Sequence, residues 1–224
     1  MADAIAKQYR RFHEDYIVYV FDRKRDFDDG YSVEDMAEDT AEAMKRLGLK
    51  DACVMGCSQG GMMAQVLAAK HPELVSQLVL CSTTSSAADI TENTVHEWIK
   101  IAKTGDVVAL NHAFFTSIYS EAFQKKNAVA LSYAEKVGNA EGLARFVKLA
   151  NACLSFDARP LLDKIKCDCL VVGSSIDKVL GYEPTLELAE ALRCNPIIYD
   201  QYGHVVFDEA PDLHDHILDF LEHC

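Results

Sequence analysis

Long apolar segments are missing from this sequence of 224 residues. No apolar run approaches the roughly 20 residues that a membrane-spanning helix needs. The N-terminal stretch MADAIAKQYRRFHEDY lacks the apolar centre of a signal peptide. Five Pro and eleven Gly leave no room for a long low-complexity segment. We therefore expect a cytoplasmic protein, in which cysteines stay reduced.

Positive charge is also scarce, because 22 Lys and Arg stand against 35 Asp and Glu and leave a formal net charge of −13. An acidic surface repels the phosphates of nucleic acids and the headgroups of anionic lipids. Neither nucleic acid nor a membrane is therefore expected as a partner. The charge favours solubility and does not identify a substrate.

Clusters of metal-ligating residues are missing as well. His214 and His216 are two residues apart on a predicted helix and therefore do not share a face. Cys167 and Cys169 form a C-x-C pair, whereas a zinc site of this kind needs a second pair. The sequence therefore predicts no metal site and no cofactor.

The first part of the chain alternates between β-rich and helical patterns. Ser32 and Asp35 form a pair like a capping box at the start of one helix, and Gly48 follows its end. The predicted strands are 17–21, 51–55 and 78–81, and the predicted helices are 4–15, 32–47 and 62–70. This alternation is typical of a parallel sheet with right-handed crossovers.

The second part of the chain changes its pattern. From about 89 to 156 the periodicity is helical only, after which strands are predicted at 169–172 and 196–199 and helices at 184–192 and 213–223. The sequence thus predicts an α/β fold with a mostly parallel sheet and flanking helices. Its core comprises residues 1–85 and 158–224, and residues 86–157 form an inserted helical cap.

The strongest chemical signal is Gly56-x-Ser58-x-Gly60, between a predicted strand and a predicted helix. A sharp turn there would expose the serine and direct backbone N–H groups toward a reacting carbonyl. Gln59 would supply one of these N–H groups to the oxyanion. The turn is crowded, so its flanking positions must be small, and Gly56, Gly60 and Gly61 meet this requirement. Alternatively, the segment is a glycine-rich turn in which the serine only caps the helix.

Two later residues complete a possible catalytic triad. Asp177 follows the predicted strand 169–172, and His204 follows the predicted strand 196–199, so the order serine, acid, histidine is the one expected. An imidazole can take the serine proton, and a carboxylate can hold its tautomer. Alternatively, Asp177 only forms a turn and His204 is structural, and Glu183 is the nearest substitute acid.

These residues resemble the α/β-hydrolase superfamily with a helical cap. The similar segments are VMGCSQGGMMAQVLAAKHPELVSQLVLCST, KIKCDCLVVGSSID and YGHVVFDEAPDLHDHILDFL. The resemblance implies an ester, thioester, lactone or related acyl substrate. It also implies that Cys57 and the cap aromatics border the substrate, unless they only pack; these aromatics are Trp98, Phe114, Phe115 and Tyr119.

The sequence departs from the family at two places. The family carries Asp-x-Arg-Gly-x-Gly where this chain has Asp22-Arg23-Lys24-Arg25. The family also has earlier strands and a His-Gly loop that supplies a second oxyanion N–H, and nothing in this sequence matches them. Loss of one oxyanion donor typically costs about 10²- to 10³-fold in rate. The missing strands would leave a sheet edge exposed, which a homodimer could cover.

Three hypotheses follow for the function. The first is a serine hydrolase with Ser58 as nucleophile, His204 as base and Asp177 as acid. The second is a non-catalytic binding protein for small molecules, because the oxyanion loop has no counterpart. The third keeps the triad but changes the reaction, to a haloperoxidase-like side activity or to the hydrolysis of a C–C bond.

Overall fold

The centre of the fold is a parallel sheet of four strands. A computed structural model describes residues 7–90 and 94–223 of the chain. The strands are β1 (Ala52–Cys57), β2 (Val75–Cys81), β3 (Asp168–Ser174) and β4 (Ile197–Tyr199), in this spatial order. Each neighbouring pair is parallel. Because parallel strands end at the same edge of a sheet, the loops after β1, β3 and β4 lie together.

Helices connect and flank the strands. They are α1 (Val33–Arg46), α2 (Gln59–Lys70), α3 (Thr94–Lys103), α4 (Val107–Ile118), α5 (Glu121–Lys126), α6 (Ala128–Ala134), α7 (Ala140–Leu154), α8 (Glu183–Ala191), α9 (Val206–Glu209) and α10 (Leu213–His223). The helix predicted over 4–15 lies partly outside the described residues, and its described part includes a 3-10 turn at Arg10–Phe12. Among the described helices, none combines the length and apolarity needed to cross a membrane.

The two faces of the sheet are buried by different helices. Leu78 and Leu80 of β2 pack in a cluster with residues of α1, α2 and α8. Val79 and Cys81, which point the other way, pack with Leu213 and Ile217 of α10. This alternation follows from the two-residue period of a strand. Helices on both faces explain why the strand sequences are almost continuously apolar.

The capping box predicted for α1 is present. The Asp35 backbone N–H donates to Ser32 Oγ (3.1 Å), and the Ser32 backbone N–H donates to Asp35 Oδ2 (2.9 Å). The hydrogen bond from the Ser32 backbone, followed by that from its hydroxyl, lowers the pKa of the Asp35 carboxyl. The ionised carboxylate therefore stabilises the start of α1.

Asp35→Asn is expected to lower the free energy of unfolding by about 0.5–1 kcal/mol at pH 7. Because the folded-state pKa is lowered, the contribution of Asp35 is full above its unfolded pKa of about 3.9 and disappears as the pH falls through the folded value. Urea denaturation of both proteins at pH 7 and at pH 3 tests this. An equal difference at both pH values would contradict the prediction.

The strand predicted over residues 17–21 is not formed, so this prediction is wrong. The segment is exposed, and Ile17 keeps 82% of its surface in contact with solvent. A groove of about 720 Å³ lies between this segment and β1. Among the described residues, β1 pairs with β2 alone, so the segment has no neighbouring strand. Coverage of this edge by a second copy stays a prediction.

The helices α3–α7 form a unit between β2 and β3. The two chain connections to this unit lie side by side, since Ala87 N–H donates to Phe156 O and Ala158 N–H donates to Ser85 O, both at 2.7 Å. Trp98 of α3 is 6% exposed and belongs to an apolar cluster with residues of α4 and α7. The division of the chain into core and cap at residues 86 and 157 stays a prediction.

Candidate active site

Ser58 lies in the sharp turn between β1 and α2. Its φ of 51° and ψ of −121° are unusual for a residue with a side chain. Four hydrogen bonds hold this conformation. Ser58 N–H donates to Cys81 O (2.9 Å), and Ser58 O accepts from Gly61 N–H (2.9 Å), Met62 N–H (3.2 Å) and Thr83 Oγ1 (2.8 Å). A strained backbone that is fixed in this way is typical of functional sites.

The turn requires glycine at two of the three positions predicted to be small. A Cβ at position 56 would lie 2.4 Å from Gly60 O, and one at position 61 would lie 2.6 Å from Thr83 Cβ. A Cβ at Gly60, in contrast, would meet nothing within 4 Å. The prediction that crowding requires a small residue at position 60 is therefore wrong, because this position faces open space.

The three residues of the predicted triad lie together. His204 Nε2 is 2.9 Å from Ser58 Oγ, and His204 Nδ1 is 2.7 Å from Asp177 Oδ2. Both His204 and Asp177 are buried, at 3% and 8% exposure. Because an ionised carboxylate only accepts hydrogen bonds, Nδ1 donates to Asp177 and Nε2 is left to accept from the Ser58 hydroxyl. This arrangement can remove the proton from the serine.

Backbone groups fix the Asp177 carboxylate. Its Oδ1 accepts from Val179 N–H (2.7 Å) and from Leu180 N–H (3.0 Å). One carboxylate oxygen is therefore used to hold the side chain, and the other is free to meet His204. Asp177 thus forms a turn, as in the alternative interpretation of the sequence, and also contacts the imidazole.

Gln59 is the first residue of α2, and its backbone N–H has no acceptor among the residues that the structure describes. An unpaired N–H at a helix start beside the nucleophile is suited to bind an oxyanion. Its side chain does not enter the turn but contacts Arg23 and Leu149. Any role of Gln59 toward an oxyanion therefore belongs to its backbone.

Cys57 pairs with Cys81 across the β1–β2 ladder. The hydrogen bond with the Cys81 thiol, followed by burial, raises the pKa of the Cys57 thiol. A protonated thiol is a weak nucleophile, so Cys57 does not compete with Ser58. It packs with the cluster that includes Val79 and Tyr199, and a contact with substrate stays a prediction.

The four cap aromatics predicted to border the substrate belong to one apolar cluster with Val179 and Val205. Trp98 lies 4.8 Å from Phe114 between ring centroids, and Phe115 lies 6.2 Å from both Phe114 and Tyr119. Val179 lies two residues after Asp177 in the chain, and Val205 directly follows His204. The aromatics therefore pack near the loops of the triad, and their contact with an acyl group stays a prediction.

Glu209 is a site residue that sequence reasoning missed. Its Oε1 accepts from Gly203 N–H (2.9 Å) and Ser120 N–H (3.0 Å), and its Oε2 accepts from the Ser120 hydroxyl. One carboxylate thus joins the residue before His204 to the start of α5. The sequence gives no signal for this, because an acidic residue in a short helix is usually solvated.

Glu209→Ala is expected to reduce the free energy of unfolding by about 1–3 kcal/mol, because it leaves two backbone N–H groups unpaired. Activity should fall with it, since Gly203 is next to His204. Glu209→Gln is the matched control, because its amide oxygen can still accept from both N–H groups. Urea denaturation of the two variants tests this. Equal free energies of unfolding for Glu209→Ala and Glu209→Gln would contradict the prediction.

Comparison with known proteins identifies the family. The sequence model of the α/β hydrolase fold matches residues 11–211. The chain belongs to this family. The resemblance predicted from the motifs and the α/β class with a parallel sheet are therefore confirmed, and the chain is an enzyme of the hydrolase class.

Several relatives carry specific names. A RutD protein of Rhizobium rhizogenes, named as a carbamate hydrolase, is 28% identical over 200 residues, which are 88% of this chain and 76% of the relative. The enol-lactonase of Burkholderia xenovorans LB400 has a TM-score of 0.77 at 22% identity, covering 88% of this chain and 75% of its own. The hydrolase MGS-M2, from a Medee basin deep-sea metagenome library, has a TM-score of 0.85 at 21% identity, covering 99% and 84%. The two structural matches support the fold.

Proposed function

We propose that this α/β-hydrolase cleaves a carboxylic ester, thioester or lactone through an acyl-enzyme on Ser58. The observation that carries the proposal is the continuous set of hydrogen bonds from Ser58 Oγ through the His204 ring to Asp177. A serine hydroxyl becomes a useful nucleophile when an adjacent base can take its proton. The names of the relatives, a carbamate hydrolase and an enol-lactonase, refer to substrates that also contain a carbonyl bonded to a heteroatom.

In the first half of the reaction, His204 Nε2 takes the Ser58 proton while Oγ attacks the carbonyl carbon. The carbonyl oxygen becomes an oxyanion, to which Gln59 N–H donates. The C–O or C–S bond of the substrate then breaks, and His204 Nε2 returns the proton to the leaving alcohol or thiol. Asp177 stabilises the imidazolium that exists between these two proton transfers.

In the second half, water replaces the leaving group. His204 Nε2 takes a proton from the water, whose oxygen attacks the acyl carbon. The bond between Ser58 Oγ and this carbon breaks, the serine regains its proton from His204, and the carboxylic acid leaves. In a lactone the leaving alcohol stays attached to the acyl group, so one hydroxy acid is the product.

A panel of p-nitrophenyl esters, one acyl thioester and one lactone tests the proposal. We expect turnover of at least one ester and covalent labelling of Ser58 by a fluorophosphonate, located by peptide mass spectrometry. Ser58→Ala removes the nucleophilic oxygen, so labelling should disappear and turnover should fall by at least about 10³-fold. A folded wild-type chain that shows neither turnover nor labelling would contradict the proposal.

A second candidate function is binding without catalysis. The observation that favours it is that Gln59 supplies the one unpaired oxyanion N–H that we identify among the described residues, whereas such sites commonly use two. This alternative predicts that small esters or lactones raise the thermal stability of the protein and are recovered intact. Turnover of the ester panel excludes it.

A further inference from the structure

The side chain of Gln59 is held at both ends, although it plays no direct part in the proposed reaction. Its Oε1 accepts from Arg23 Nη2 (2.7 Å) and Arg23 Nε (3.1 Å). Its Nε2 donates to Leu149 O (2.7 Å) and to Cys153 Sγ (3.0 Å). The residue that follows the nucleophile is thus tied to two elements that are distant in the chain.

Arg23 directs its guanidinium group at a neutral acceptor. Its nearest acidic oxygen is Asp22 Oδ1 at 3.7 Å, and the Asp22 side chain is 82% exposed. An ion pair of this kind contributes little, because solvent screens it. By contrast, two nitrogens of the Arg23 guanidinium donate to one amide oxygen, and this pair of hydrogen bonds fixes the orientation of the guanidinium group. The geometry of Arg23 is therefore set mainly by Gln59.

Helix α7 supplies the acceptors for the amide nitrogen of Gln59. Arg145, Leu149 and Cys153 are spaced by four residues and so lie on one face of this helix. Arg145 Nη1 donates to Lys24 O (2.8 Å), and its Nη2 donates to Arg23 O (3.2 Å). The same helix face therefore holds the loop of Arg23 and the side chain of Gln59.

We propose that Arg23 is a positioning residue, which acts through the Gln59 side chain to fix the backbone N–H of Gln59 as an oxyanion donor. The inference rests on the proposed function. The N–H and the side chain of Gln59 share one Cα, so anchoring the side chain restricts rotation of the peptide that follows the strained Ser58. A donor that is fixed before the reaction needs no reorganisation when charge develops.

The contacts of Gln59 also link helix α7, in the predicted cap, to the oxyanion donor. Because Gln59 contacts α7 directly, a displacement of this helix would move the oxyanion donor. A displacement of about 1 Å in a catalytic group can cost on the order of 100-fold in rate. If these contacts only stabilised the fold, their loss would lower stability without a specific effect on kcat. Kinetics can therefore separate a positioning role from a purely structural one.

Arg23→Met is expected to lower kcat by about 10- to 100-fold and to change KM by less than about twofold, because an oxyanion contact forms in the transition state. A boronic acid that places an oxygen at the oxyanion position should bind correspondingly more weakly. Arg23→Lys keeps one donor for Gln59 and should recover part of kcat. Gln59→Met removes both anchors but keeps the backbone N–H, and should cost more than Arg23→Met.

Arg25→Met is the matched control, because it removes the same charge from the same loop through an exposed side chain. Equal kcat values for Arg23→Met and Arg25→Met would overturn the positioning role. A rise in KM at constant kcat would also overturn it, because Arg23 would then bind substrate directly. If the wild-type chain turns over no substrate, the proposed function fails first, and the inference fails with it.

Discussion

Asp177→Asn is expected to lower kcat by about 10⁴-fold and to leave the fold intact. The reason lies in the two N–H groups that meet the carboxylate. Val179 and Leu180 both donate to Oδ1 of Asp177. In the variant these N–H groups need the amide oxygen, so the amide nitrogen must turn toward His204.

The consequence for the imidazole follows directly. An amide NH₂ donates, so His204 Nδ1 would have to accept and the ring proton would move to Nε2. The nitrogen that faces Ser58 would then carry a proton and could not take another. The variant would hold the ring in place but in the wrong tautomer, which explains a large loss of rate without a loss of structure.

Steady-state kinetics on one ester, together with thermal denaturation, tests this prediction. The melting temperature should change little, since the amide keeps both backbone hydrogen bonds. Ser58→Ala gives the background rate against which the residual activity is judged. An Asp177→Asn variant that keeps more than a tenth of the wild-type kcat would show that Asp177 does not set the tautomer.

The positions of the triad residues could be predicted from the sequence because of the parallel sheet. Ser58 directly follows β1, and Asp177 and His204 lie in the loops that follow β3 and β4. Once the strands are recognised from their apolar runs, their common direction brings these loops to one edge. The distances between the side chains depend on loop conformations, which the strand pattern does not encode.

The segment over residues 17–21 shows where a local pattern is insufficient. Its apolar, β-rich sequence predicts a buried strand, but burial of a strand needs a hydrogen-bonded neighbour on the sheet. In the structure a groove separates the segment from β1, so its apolar side chains stay exposed. The identity of the neighbour is a property of the whole sheet and cannot be read from five residues.

The contacts of Gln59 and Glu209 could not be predicted for a different reason. Gln59 meets Arg23 and Leu149, which are 36 and 90 positions away in the chain. Glu209 meets Ser120, 89 positions away. Such contacts depend on how segments that are distant in the chain pack against each other. The sequence motif therefore identifies the nucleophile. The residues that fix the groups around it can be recognised only from the folded structure.

Gly56→Ala is expected to disrupt the turn at Ser58, with a loss of about 1–3 kcal/mol in the free energy of unfolding and about 100-fold in kcat. The new methyl group would lie 2.4 Å from Gly60 O and 2.7 Å from Gly61 Cα. Both are backbone atoms, so no side-chain rotation can relieve the contact. Separation of β1 from the start of α2 would move Ser58 Oγ away from His204.

Gly60→Ala makes the same chemical change two residues after the nucleophile and serves as the control. A Cβ there meets nothing within 4 Å, and the residue lies inside α2. Alanine is favoured over glycine in a helix by about 0.5–1 kcal/mol, so this variant should be at least as stable as the wild type and equally active. If Gly60→Ala proved as damaging as Gly56→Ala, a general intolerance of alanine in this turn would account for both results. Steric contact with Gly60 O would then not explain the need for glycine at position 56.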